Sequence, residues 1–197
     1  MYNMECIKNK LPSKTQDFLN KMKEYLDTKL YYYGSVQRLD FIENNSDIDI
    51  CIFTDNTQTM IHKLSSYLHI DKKIIKKIFL NVKNNSNKYE IIYCYKVAYK
   101  NPKLNLNLEI TICNEKYKKI ILYHQNQGIN LPIYIVSLLF ILKVLYYHFN
   151  IFPFKYYHKC KTVIIDIGTG RITNIKEITN KIASIMYIDN NNQNIII

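Results

Sequence analysis

No two of the chain's five cysteines stand in a C-x-x-C pair. That spacing is what zinc ribbons and dithiol redox sites need, so neither is indicated. Cys6, Cys51, Cys94, Cys113 and Cys160 are scattered and odd in number, which gives no disulfide framework and leads us to expect free thiols in a reducing compartment. Residues 1–10 lack the apolar core of a signal peptide. Leu131 to Leu142 is strongly apolar, but Lys143 interrupts it and His148 follows. That is short for a membrane span, and a buried helix is the better reading. Together these point to a cytoplasmic protein that does not enter a membrane. Internal repeats and flexible linkers are also missing.

Arginine is scarce, at Arg38 and Arg171 only, while Lys, Asn, Ile and Tyr are abundant. An AT-rich coding sequence explains lysine in place of arginine. It does not explain 27 basic against 16 acidic residues, a net charge of +11. A surplus of that size favours a polyanionic partner. The 48 % hydrophobic content suffices for a buried core in a chain of 197 residues.

Periodicity predicts a helix over Ser13–Leu30 with Ser13 as its cap, then a short strand Leu30–Tyr33 ending at Gly34. Asp47–Phe53 reads as a strand with Ile48, Ile50 and Ile52 on one face, and Thr57–His69 as a helix. Lys72–Val82 fits either helix or strand. Tyr89–Tyr99 and Leu104–Cys113 read as paired strands joined at Asn101-Pro102. Helices follow over Glu115–Gln125, with Gly128 in the break after it, and over Leu131–Phe149. A strand is expected over Lys161–Ile167, a turn at Gly168-Thr169-Gly170 and a helix over Thr173–Tyr187. The lone G-x-G of that turn is a weak signal, with too little chain after it to complete a dinucleotide-binding sheet.

Chemistry concentrates at two places. Gly34-Ser35 leaves a strand in a turn whose backbone can approach an anion closely. Asp47 and Asp49 are separated by one residue, so on a strand they aim at one spot while the isoleucines enter the core. Converging carboxylates repel one another unless a proton or a cation intervenes, and hard oxygen ligands suit Mg²⁺ or Mn²⁺.

Gly34-Ser35 followed by Ser46-Asp47-Ile48-Asp49 resembles the signature of the DNA polymerase β-like nucleotidyltransferase superfamily. The likeness covers about residues 30 to 115. It implies an α/β (α+β) fold, a mixed sheet flanked by helices with a C-terminal helical unit. The implied organisation is a core over 1–115, a helical extension packed on it over 116–188 and a flexible tail over 189–197. It also implies transfer of a nucleoside monophosphate from an NTP, ATP foremost, to a hydroxyl, with two Mg²⁺ or Mn²⁺ ions. Asp47, Asp49 and a later third acid would hold the ions. Glu109 is the best match for that acid, ahead of Glu90 and Glu115. Gly34 and Ser35 would cradle the nucleotide phosphates. Lys143 resembles in placement a lysine that reaches the triphosphate, against the alternative of a lysine snorkelling to solvent. Two departures stand out. Leu39 follows Arg38 where relatives often carry Gly, and no second lysine or Ser-Tyr pair of the RNA-tailing branch follows Lys143. On charge the leading acceptor is an RNA 3′ end. The alternatives are a protein or small-molecule acceptor, as in antitoxin and antibiotic-modifying branches, or a non-catalytic binding subunit.

Overall fold

The computed structural model describes residues 3–83, 89–151 and 153–170. The chain divides into two compact units, Met1–Ile129 and Asn130–Ile197. The helix that follows the last strand lies within the first of them.

The first unit is built on a five-stranded mixed sheet. Its strands are β1 (Tyr31–Tyr33), β2 (Ile48–Thr54), β3 (Lys76–Lys83), β4 (Tyr89–Asn101) and β5 (Leu106–Asn114), in spatial order β1-β2-β5-β4-β3. β2 and β5 run parallel, and every other pairing is antiparallel. The mixed sheet with flanking helices is the fold class expected from the sequence.

Alternation sorts each strand between two cores. Ile48, Ile50 and Ile52 of β2 join Leu106, Leu108, Ile110 and Ile112 of β5 under two helices, α1 (Ser13–Leu26) and α2 (Thr57–Leu68). α1 buries Thr15, Leu19, Met22 and Leu26, a helical stripe. On the opposite face Cys51, Phe53, Ile92, Cys94 and Cys113 pack with Ile121 and Ile129 of a third helix, α3 (Lys118–Ile129). Fully burying one such aliphatic side chain contributes about 1.5–3 kcal/mol. Asp49 and Glu109 belong to this second face, near the end where β2 and β5 begin.

Some local expectations change. Three of the four prolines, Pro12, Pro132 and Pro153, stand directly before helices in extended conformation, so Ser13 is the first helical residue and not the cap. Proline's fixed φ suits that position, where an N–H has no helical partner. α1 stops at Leu26, four residues early, because Asp27 turns left-handed at φ 49°. Asn44, His69, Asn105 and Asn150 also adopt positive φ in this glycine-poor chain. The ambiguous segment resolves into a 3₁₀ turn, Lys72–Ile74, and strand β3. Gly128 lies inside α3, not in a break.

The thiol expectation also changes. Cys94 and Cys113 are joined by a disulfide, while Cys6, Cys51 and Cys160 are free. The cause is register: the two residues face each other across β4 and β5 with Cα atoms 4.6 Å apart. Burial pushes the Cys51 thiol up to about 12, so it stays protonated and behaves as a small apolar residue.

In the second unit, α4 (Ile133–Tyr147) packs with α5 (Phe154–Gly168). The strand expected over Lys161–Ile167 is therefore helix. Ile164, Ile165 and Ile167 pack against Leu131, Ile135, Val136 and Leu139, and that burial outweighs the strand preference of a β-branched run. Gly168 lets the helices close up, since a Cβ there would sit 2.8 Å from Ile135 Cγ2. Gly168-Thr169-Gly170 ends a helix, which removes any likeness to a strand-to-helix glycine loop. Tyr146 stacks on Tyr157 at 4.2 Å, with Tyr147 tilted against the same ring, so these rings are used in packing. α4 is not the buried helix expected: Ile133, Tyr134 and Ile141 are more than half exposed. Among the described residues no single helix is long and apolar enough to cross a membrane. The helix expected over Thr173–Tyr187 and the tail lie outside the described residues.

Candidate active site

β1 runs antiparallel to β2 with Tyr33 opposite Asp49, so the chain leaves β1 directly beside the first strand carboxylate. Gly34 turns there with φ +70°. A Cβ on Gly34 would overlap the Oδ2 oxygen of Asp49 and lie 3.0 Å from its Cγ. Only glycine meets both conditions. Ser35 follows, buried, in a 3₁₀ turn, Gly34–Gln37. The turn brought against Asp49 is the one the sequence marks as an anion cradle.

We expect Gly34→Ala to lower nucleotidyl transfer at least tenfold. The added methyl meets a carboxylate oxygen and an L residue is strained at that φ, by about 1–2 kcal/mol. Transfer by the purified variant is the measurement, and parent-level activity would leave Gly34 an ordinary turn residue.

Asp49 and Glu109 are register partners on parallel β2 and β5, so both project from one face. Asp47 is exposed just before β2 begins. Ser46 fastens the turn ahead of it: its Oγ accepts from Ile42 N–H at 3.0 Å, and its own N–H donates to Ile42 O at 2.8 Å. These bonds hold Ser46 against the loop that leads into β2. Glu90 and Glu115 stand elsewhere: Glu90 near the start of β4, and Glu115 beyond β5 in an ion pair with Lys118 at 2.6 Å.

Several residues that shape the site were not picked out by sequence reasoning. The Tyr33 hydroxyl lies 3.4 Å from Thr111 Oγ1 on β5. Burial, then the charge of Asp49 and more weakly that of Glu109, push its pKa well above the ordinary 10, so it keeps its proton beside the carboxylates. Arg38 and Asp40 form a buried two-pronged pair, Nε to Oδ1 at 2.7 Å and Nη2 to Oδ2 at 3.1 Å. Arg38 Nη1 also donates to Gly128 O at 2.8 Å, tying the loop to α3. Asn9 Nδ2 donates to Val36 O and Arg38 O, and Gln37 Nε2 to Cys6 O and Tyr32 O. Lys96 on β4 pairs with Glu109, Nζ to Oε1 at 2.6 Å. Arg38 was visible in the sequence as a family-like arginine. Thr111 and Lys96 become visible only through register, and Asp40, Asn9 and Gln37 only through the fold of the loop.

Among the described residues no group of three or more His, Cys, Asp or Glu side chains is placed to hold a metal ion. The donor set nevertheless fits a hard divalent cation. Mg²⁺ is typically bound by one or two carboxylates completed by water and substrate phosphates. Asp49 and Glu109 supply such a pair on one face, Asp47 stands one residue before β2, and the Gly34 turn adjoins Asp49. Lys143 belongs to the second unit, on α4, and is only 2 % exposed, so it does not snorkel to solvent.

A family model described as a nucleotidyltransferase domain matches residues 14–124, which spans all five strands and most of α3. No curated protein matches the chain. The chain is similar to a solved structure titled as the GLD-2/RNP-8 complex, with TM-score 0.40, 14 % identity, and 79 % of this chain and 55 % of that chain covered. It is also similar to terminal uridylyl transferase 4 from Trypanosoma brucei with bound GTP, with TM-score 0.29, 14 % identity, and 72 % and 56 % covered. The alignments thus take in a little over half of each of those chains.

Proposed function

The chain belongs to the nucleotidyltransferase domain family, and from that premise we propose that it moves a nucleoside monophosphate from an NTP to a hydroxyl, releasing pyrophosphate. The observation that carries this reading is the row Gly34, Asp49, Glu109: a glycine turn packed on one carboxylate, with a second carboxylate beside it on the next strand. A phosphate-sized anion and the carboxylates then share one place.

Asp47, Asp49 and Glu109 would hold Mg²⁺ or Mn²⁺, two ions in all, which supply acidity at the attacking hydroxyl and neutralise charge on the triphosphate. Gly34 and Ser35 would receive phosphate oxygens through backbone N–H groups and the Ser35 hydroxyl. The protonated Tyr33 hydroxyl is held toward the strand carboxylates and stays a donor through the neutral range. The buried Arg38–Asp40 pair keeps the loop between turn and carboxylates in one shape, so phosphate and acceptor are presented without reordering.

The acceptor we propose is an RNA 3′ end, with ATP as donor. The supporting observation is the +11 charge carried almost entirely by lysine. Incubating the protein with each labelled NTP, Mg²⁺ or Mn²⁺ and RNA should place label on the RNA. Binding should also fall by roughly a thousandfold between about 50 and 200 mM salt, given six or more phosphate contacts and the counterions they release. Label on the protein or on a small molecule, with a flat salt profile, moves the acceptor to those classes. No label transfer with any NTP overturns the enzymatic reading.

A further inference from the structure

Across the face that carries the carboxylates, charge changes sign once, between β5 and β4. Asp49 on β2 faces Glu109 on β5 in register. Glu109 faces Ala98 on β4, and Lys96 is two residues before Ala98, facing Thr111. Lys96 and Glu109 are therefore diagonal neighbours on one face, within reach of long side chains. Ala98 is small and exposed, so its methyl leaves the two long side chains room to meet. On the far side, Lys96 faces Lys76 of the edge strand β3. Like charges directly opposite repel, which drives the Lys96 ammonium toward the carboxylates. The outcome is the 2.6 Å contact between Lys96 Nζ and Glu109 Oε1, with each side chain about one third exposed.

Glutamate is one methylene longer than aspartate. On β5 that extra reach lets Glu109 meet a lysine from β4. That carboxylate is the one the proposed ion site would use.

We propose that Lys96 is the built-in counter-ion of Glu109, and that a divalent cation enters this carboxylate by displacing the ammonium. This rests on the metal-site reading above. Lys96 is a positioning residue. It satisfies Glu109 while no ion is bound, limits Asp49–Glu109 repulsion, and makes binding at Glu109 a cation-for-cation exchange. Ion affinity is therefore lower than the carboxylates alone would give.

The test is Mn²⁺ titration of the whole chain, read by the electron paramagnetic resonance signal of unbound Mn²⁺. Parent, Lys96→Met, Glu109→Gln, the double variant and Asp49→Asn are compared. Lys96→Met should bind Mn²⁺ about three- to tenfold more tightly than the parent, the scale expected for releasing a partly exposed ion pair next to a divalent charge. The gain should vanish when Glu109→Gln is already present. Lys96→Arg, which keeps the charge, should show no gain. Lys96→Gln repeats the comparison if Lys96→Met melts early by circular dichroism. Equal affinity in parent and Lys96→Met, with Asp49→Asn weakened, overturns the proposal and leaves the metal reading standing. No Mn²⁺ binding by the parent overturns both.

Discussion

Replacing Asp47 and Asp49 together with alanine should lower nucleotidyl transfer by at least a thousandfold and leave the melting temperature within about 3 °C of the parent. The first half follows from position. Asp49 is packed against the Gly34 turn and lies in register with Glu109, so no other described carboxylate can take its place on that face. Interactions made at the reacting centre typically carry several kcal/mol each, and two of them are lost. The second half follows from charge. Two carboxylates about 5 Å apart repel by roughly 3 kcal/mol at an effective dielectric near 20. Lys96 relieves part of this, since it reaches Glu109 directly. Deleting Asp49 relieves the rest, which offsets the packing its side chain provided against the Gly34 turn. Asp47 is exposed, and its removal should be neutral for folding. Activity with labelled NTP and a thermal melt on the same preparation decide the matter. Retained transfer would sink the assignment of these aspartates. A melt lowered by 10 °C or more would show that the pair holds the fold rather than the reaction.

The parts of this site that sequence made legible are the parts encoded locally. A glycine followed by serine at a strand end can be read from the chain alone, and strand alternation puts Asp49 on the face opposite Ile48 and Ile50, while Asp47 lies just before the strand. The sheet interior was legible for the same reason: Ile48, Ile50 and Ile52, and Leu106 to Ile112, alternate in the chain as they do in space. What escaped depends on register. Lys96 meets Glu109, and Cys94 bonds Cys113, only because β4 pairs with β5 antiparallel at one particular offset. A shift by one residue would turn every side chain to the other face. Nothing in the spacing of two cysteines 19 residues apart announces that offset. The strand expected over Lys161–Ile167 failed differently. Val163, Ile164, Ile165 and Ile167 have strand propensity, but α4 offers an apolar surface that a helix covers and no sheet edge to extend. Tertiary packing decided, as it commonly does for short apolar runs.

Asp40→Ala should be the most destabilising single change in the first unit, at about 3–5 kcal/mol. Asp40 is fully buried and Arg38 nearly so, at 0 % and 6 % exposure. Their two hydrogen bonds, at 2.7 and 3.1 Å, leave the guanidinium one further bond, to the Gly128 carbonyl. Removing the carboxylate strands a buried cation that cannot shed its proton, because arginine stays charged at any accessible pH. The remaining ways out are to drag water inward or to let the loop open, and both cost stability. The loop concerned runs from Gly34-Ser35 to Asp47, so its opening also separates the Gly34 turn from the carboxylates. Urea unfolding should show the midpoint falling by more than about 1 M with little change in slope. The double change Arg38→Met with Asp40→Leu should recover a large share of the loss, since it removes both charges and keeps apolar volume. If Asp40→Ala unfolds at the parent's midpoint, the hydrogen bonds of Asn9, Gln37 and Ser46 suffice to hold the loop, and the ion pair is an accessory to them.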